Sequence, residues 1–218
     1  MLMSNYIHGQ EFYTDINMYG FLRYEINNLG CGDCSYEVIS PGVDVSGGIS
    51  FGPDGVLYAF TQTNTELQIM IVDPVTGTSG PPVFTYPWIV ATQAFAVGFV
   101  SVGGGIFYLG SNNPPITSTI YKWDTNTGAL ISLGDSGYVL RGEMTMAWGN
   151  IYVSVYDPTV AMNAILQLDT INSANSQVVF YYPLNQLYCD ITAYSICNTL
   201  IGWECFGGNL VLINLIDG

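Results

Sequence analysis

Basic residues are almost missing from this chain. Its 218 residues include 3 lysines and arginines, 17 acids and 1 histidine, for a net charge of −14 at pH 7. The bases are Arg23, Lys122 and Arg141. Three cations cannot neutralise a phosphate backbone, the contact that supplies most nucleic-acid affinity, so nucleic-acid binding is excluded. The same shortage argues against electrostatic docking on anionic lipid. The charge arises from missing bases, not from acidic runs, since charged residues make up only 9 % of the chain.

Other features are absent as well. No apolar run is long enough to cross a bilayer, which excludes membrane insertion by a helix. No stretch carries a helical apolar period of useful length. Residues 1–8 lack the basic and apolar zones of a secretion signal, which leaves a removed signal, a fragment, or a viral or phage product as readings. A nucleophilic triad needs a base beside Ser or Cys, and the one histidine, His8, sits near a terminus, where it reads as an exposed tail residue. Disorder is excluded by what is present: 49 % hydrophobic residues, 14 % of the chain being aromatic.

What is present is a repeat. A short run ending in Tyr recurs at Tyr13, Tyr58, Tyr108 and Tyr152, with Ile201 in the fifth copy. A second run, closing on an acid or amide turn, recurs at Asn27, Asp73, Asp124, Asp169 and Asp217. Both landmarks keep a period of about 48 residues, in the range of propeller blades. Each unit reads as four strands: a small apolar inner strand such as 48–51, the Tyr strand, the Asp strand, and a fourth such as 83–86 or 177–182. Turns such as Pro53-Asp54-Gly55 and Gly103-Gly104-Gly105 separate them, supplying positive φ and Asx hydrogen bonds. The expected architecture is all-β: one β-propeller domain over 1–218 of about five four-stranded blades, the last incomplete. Its units run roughly 1–40, 41–87, 88–137, 138–184 and 185–218.

The segment 48–58, Gly-Ile-Ser-Phe-Gly-Pro-Asp-Gly-Val-Leu-Tyr, with Ile71-Val-Asp-Pro-Val-Thr-Gly77, resembles a known repeat. It is similar to that of the YVTN, lactonase-like and WD40-like propellers of bacterial secreted and surface proteins. The resemblance covers nearly the whole chain, with the second copy the cleanest. It implies a propeller and, for lactonase-like members, a metal held in the central channel by carboxylates and amides. The matching positions are near Asp44, Gln93, Glu143 and Asp190, a set suited to calcium. Copies two and three offer Gly48 and Ala94 closest to the inner strand instead, so the pattern is only partly filled. The turn acids read as structural, because Asp opening a turn binds its own following amides.

All five cysteines, Cys31, Cys34, Cys189, Cys197 and Cys205, lie in the first and last units, which meet in a closed ring. Cys189–Cys205 and Cys31–Cys34 are candidate disulfides. A zinc half-site of Cys31, Cys34 and Cys197, and reduced buried thiols, stay open as alternatives. Aromatic residues at connections, Trp88, Trp148, Tyr156 and Tyr182, are candidate stacking platforms for a ligand. The expected role is a non-catalytic extracellular, cell-surface or virion-surface module for adhesion or assembly. Its partners would be other protein subunits or surface glycans. A homo-oligomer or filament could complete the last blade by strand exchange. A glycan-binding lectin and a metal-dependent lactonase-like hydrolase are the alternatives, and no cofactor beyond calcium is expected.

Overall fold

A computed structural model of the chain describes residues 10–16, 20–26, 34–40, 48–88, 95–112, 117–194, 199–204 and 210–215. The described chain is built from strands, with a single 3-10 turn at Ser173–Asn175. Five antiparallel sheets follow one another. The first holds β1 (Gln10–Ile16), β2 (Gly20–Ile26) and β3 (Cys34–Ser40). The second holds β4 (Gly48–Phe51), β5 (Leu57–Gln62), β6 (Glu66–Val72) and β7 (Phe84–Pro87). The third holds β8 (Phe95–Gly103), β9 (Ile106–Asn112), β10 (Thr119–Asp124) and β11 (Ala129–Asp135). The fourth holds β12 (Val139–Ala147), β13 (Asn150–Asp157), β14 (Met162–Leu168) and β15 (Gln177–Tyr182). The fifth holds β16 (Tyr188–Tyr194), β17 (Thr199–Glu204) and β18 (Leu210–Asn214).

Within each sheet, strands pair in chain order, and the first strands of successive sheets lie side by side: β4 on β8, β8 on β12, β12 on β16. The first sheet meets the last, with β1 touching both β4 and β16. This is a β-propeller: meander sheets stacked face to face around an axis, their inner strands crowding at the centre.

The packing follows from strand alternation. In β6, Leu67 and Ile69 enter the core shared with the third sheet, while Met70 and Val72 pack on the opposite face with Ile49, Leu57 and Ala59. One core fills the gap between the second and third sheets, where Phe60, Phe99 and Phe107 stack with centroids 5.2 and 5.3 Å apart. Full burial of a side chain of this size stabilises the fold by about 1.5–3 kcal/mol. A second core joins the third and fourth sheets through Ile120, Leu140, Val153 and Leu166. A third joins the fourth and fifth through Tyr152, Tyr182, Tyr188 and Ile213. Each sheet is therefore stable only against its neighbours.

The crowded centre requires local exceptions to strand geometry. The inner strands β8 and β12 both bulge, between Val97 and Phe99 and between Leu140 and Met144. Gly98 sits in the first bulge at φ +67, and a Cβ there would lie 3.0 Å from the carbonyl oxygen of Gly142 in the second. Only glycine meets both demands.

Candidate functional site

The β12–β13 hairpin carries the most unusual aromatic residue. Register Ala147↔Asn150 leaves a two-residue turn, Trp148-Gly149, with φ of 48° and 80°. The equivalent hairpin one sheet earlier, register Gly103↔Ile106, is Gly104-Gly105 with φ of 62° and 75°. Both turns need positive φ at both positions, the type I′ requirement. Trp148 meets it at a cost of about 1–2 kcal/mol for a residue bearing a Cβ. Trp148 nevertheless remains 42 % exposed, so part of the indole stays open at the hairpin tip. Its ring meets Tyr152 edge-on, centroids 6.2 Å apart.

A pair of carboxamides lies on the same sheet face as Tyr152, the ring that Trp148 meets edge-on. Asn150 and Tyr152 share one face of β13, and Gln167 stands opposite Tyr152 on β14. Gln167 Nε2 donates to Asn150 Oδ1 at 3.1 Å, and Asn150 Nδ2 reaches the Trp148 carbonyl at 3.5 Å. Both amides are half-buried.

The other aromatic candidates are distributed differently. Trp88 is a correction: it is 1 % exposed, not a platform. Its backbone N–H donates to the Thr65 carbonyl at 2.8 Å, continuing the ladder beyond β7, and its ring turns in against Tyr121 at 5.4 Å. Tyr182 is a second correction, 1 % exposed, its hydroxyl 2.6 Å from Ser154 Oγ and its ring 4.5 Å from Tyr188. Burial pushes the Tyr182 hydroxyl up to about 12. In both cases the ring fills the core between its own sheet and the next. Tyr156 is half-buried, with the Arg141 guanidinium 5.3 Å above its ring. It stands at the far end of β13 from Trp148, about 20 Å along the strand. The four aromatic candidates therefore do not form one surface.

Of the channel acids, Glu143 lies in the β12 bulge with its carboxylate over Gly48, where a Cβ would overlap Oε2. Gly48 has φ +118 and belongs to β4, two sheets away, so this side chain reaches across the axis. Asp44 and Gln93 lie outside the described residues, and Asp190 is in β16 with its side chain outside them. Among the described residues, no three His, Cys, Asp or Glu side chains gather as a cation site. Of the cysteines, Cys31, Cys197 and Cys205 lie outside the described residues, as do the side chains of Cys34 and Cys189. The candidate disulfides and the zinc half-site fall there too. His8 and Asp217 are likewise outside.

The turn acids are structural. Asp73 accepts the Val75 N–H at 2.8 Å, Asp124 that of Asn126 at 3.0 Å, and Asp169 those of Ile171 and Asn172 at 2.8 and 3.0 Å. The Val75 amide holds Asp73 below its ordinary value, and the Asn172 amide does the same for Asp169. For Asp124, desolvation acts upward and the Asn126 and Thr127 amides outweigh it. Asp157 repeats the motif in a buried setting. Desolvation raises it, but the Thr159 hydroxyl and amide and the Tyr181 hydroxyl, at 2.6, 2.8 and 2.8 Å, bring it below the usual range. The same bond, with some burial, pushes Tyr181 up to about 12.

The ring of sheets has known counterparts. The chain is similar in structure to TolB from Acinetobacter baumannii, with a TM-score of 0.52 and 17 % identity over 93 % of this chain. It is similar to an engineered GH43 glycoside hydrolase with endo-xylanase and exo-arabinofuranosidase activity, with a TM-score of 0.52 and 12 % identity over 94 % of this chain. A nidogen/laminin complex also matches, at 11 % identity and a TM-score of 0.47, over 94 % of this chain and 80 % of that one. The likeness to the first two shows the fold alone. The chain spans about half the length of the first two, 48 % and 47 %. No protein-family model and no curated protein matches it.

Trp148 was legible in the sequence as a candidate, and Asn150 and Gln167 were not. Their spacing from Trp148, two and nineteen residues, carries no periodic signal, and only the β13–β14 register brings the amides together.

Proposed function

We propose that this propeller is a non-catalytic recognition module for adhesion, displayed outside a cell or on a particle surface. The observation that supports this is Trp148, a large aromatic residue held at positive φ where the neighbouring hairpin uses glycine, and left exposed. A non-glycine residue held at positive φ and left partly exposed fits a binding role. Tryptophan also offers a large contact area with few rotatable bonds, which suits it to anchor a partner. The low charge of the chain, with a surface polar mainly through Ser, Thr, Asn and Gly, fits an extracellular setting.

The test uses beads coated with the protein and with the Trp148→Gly variant, flowed over a panel of cell types and matrix-coated surfaces. Wild-type beads should be retained on at least one surface, and variant beads released. Equal retention of both would overturn the reading.

A further inference from the structure

We infer that Trp148, Asn150 and Gln167 form a subsite for a neutral hexopyranose unit of a glycan. The inference rests on the recognition reading above and names its ligand class. A pyranose presents an apolar face of C–H groups and an equatorial fringe of hydroxyls that both donate and accept. A site for it needs an exposed aromatic plane next to groups of both kinds, held rigidly.

The β12–β13 turn provides that combination. The Trp148 indole is exposed at the hairpin tip and steadied from one side by Tyr152. The two amides are joined to each other and to the Trp148 backbone. That arrangement uses one hydrogen of Gln167 Nε2 and one of Asn150 Nδ2. It leaves a second hydrogen on each nitrogen and the Gln167 Oε1 lone pairs, so the pair can both donate to and accept from adjacent sugar hydroxyls. The amides are positioned by strands β13 and β14, not by a loop, so little ordering cost attaches to binding.

Charge selects the neutral member of the class. None of Trp148, Asn150, Gln167 and Tyr152 is basic. Asp169 follows Gln167 by two residues at the same end of the sheet, its carboxylate held ionised by the Asn172 and Ile171 amides. With a net charge of −14 on the chain, a uronate or sialylated sugar meets repulsion and no countercharge.

Tryptophan fluorescence reports on the site through Trp148, 42 % exposed where Trp88 and Trp123 are each 1 % exposed, and subtracting the Trp148→Gly response removes the part of the fourth tryptophan, Trp203. The probes are methyl glycosides of glucose, galactose, mannose and N-acetylglucosamine, with methyl glucuronoside as the charged comparison. At least one neutral glycoside should give a saturable change with a Kd of roughly 1–10 mM, as expected for a single ring on an open site. Trp148→Gly, whose turn then matches the Gly-Gly hairpin of the preceding sheet, should fold and lose the response. Gln167→Ala should weaken binding about tenfold, the loss of one or two hydrogen bonds. The glucuronoside should bind more weakly than its neutral parent. No response to any neutral glycoside up to about 100 mM, or a response that Trp148→Gly retains, overturns the inference. If bead retention still depends on Trp148 while every sugar fails, the recognition reading stands and only the ligand class falls. If both fail, the reading itself falls.

Discussion

At the residue scale, this propeller spends stability in one place and recovers it in another. Trp148 at φ 48° carries strain of about 1–2 kcal/mol, which glycine removes. Glycine also gives up the edge contact to Tyr152, about 0.5–1.5 kcal/mol, and the covered part of the indole, about 1.5–3 kcal/mol. Trp148→Gly should therefore lower the unfolding free energy by about 1–2 kcal/mol and leave the protein folded, and a loss above about 4 kcal/mol would show that the indole is mainly structural. Tyr182 is the opposite case. Its hydroxyl and that of Ser154 satisfy each other in the core, so Tyr182→Phe strands the serine. The expected cost is about 1–2 kcal/mol in urea unfolding, relieved in part by adding Ser154→Ala. If the double variant is no better than the single, the hydroxyl pair is not the source.

The two tyrosine and tryptophan corrections belong to this scale as well. Asp73, Asp124 and Asp169 were legible in the sequence because an Asx turn is a local event, decided by the carboxylate and the next two or three amides. Trp88 follows one fourth strand and Tyr182 ends another just as readably, yet whether their rings face water depends on Tyr121 and Tyr188, which are contributed by other sheets. The same limit hid the Asn150–Gln167 pair.

At the element scale, the strands themselves were the most legible feature. The inner strand read at 48–51 and the fourth strand read at 177–182 coincide with β4 and β15, because period-two alternation and Gly-rich turns are written in consecutive residues. The bulges of β8 and β12 were not legible. They answer to crowding between inner strands, and Gly98 is set by the position of Gly142 forty-four residues later in the chain. Gly98→Ala forces a Cβ against a backbone oxygen and holds alanine at φ +67. It should cost about 2–4 kcal/mol, combining overpacking with backbone strain. Gly55→Ala, with no atom near its added Cβ, isolates the strain alone at φ +76 and should cost less. Equal losses at the two sites would remove the case for interlocked bulges.

At the scale of the whole molecule, the titratable groups set where the fold fails. Asp73, Asp124, Asp157 and Asp169 are depressed below their ordinary value of 3.8. A depressed acid contributes stability that is complete above its unfolded pKa and is lost as pH falls through its folded one. Thermal stability should hold from neutrality down to about pH 4 and decline below it. Tyr181 and Tyr182 are raised from 10.0 to about 12, so their contribution is complete below pH 10 and disappears as the pH rises toward 12. Melting temperature measured from pH 2 to 12 checks both limits; a fall between pH 5 and 9 would contradict them.

The chain by itself determined the all-β class and the succession of meander sheets, because strand alternation and turn chemistry depend on neighbours within a few residues. The count of three basic residues, on which the expectation against nucleic-acid partners rests, is likewise read from the chain alone. The tertiary structure decided which aromatic rings are buried, where the inner strands bulge, that Glu143 spans the axis to Gly48, and that two amides lie beside Trp148. Those outcomes depend on surfaces brought together from different sheets, and the energy of such a contact resides in the packing between them, not in either segment alone.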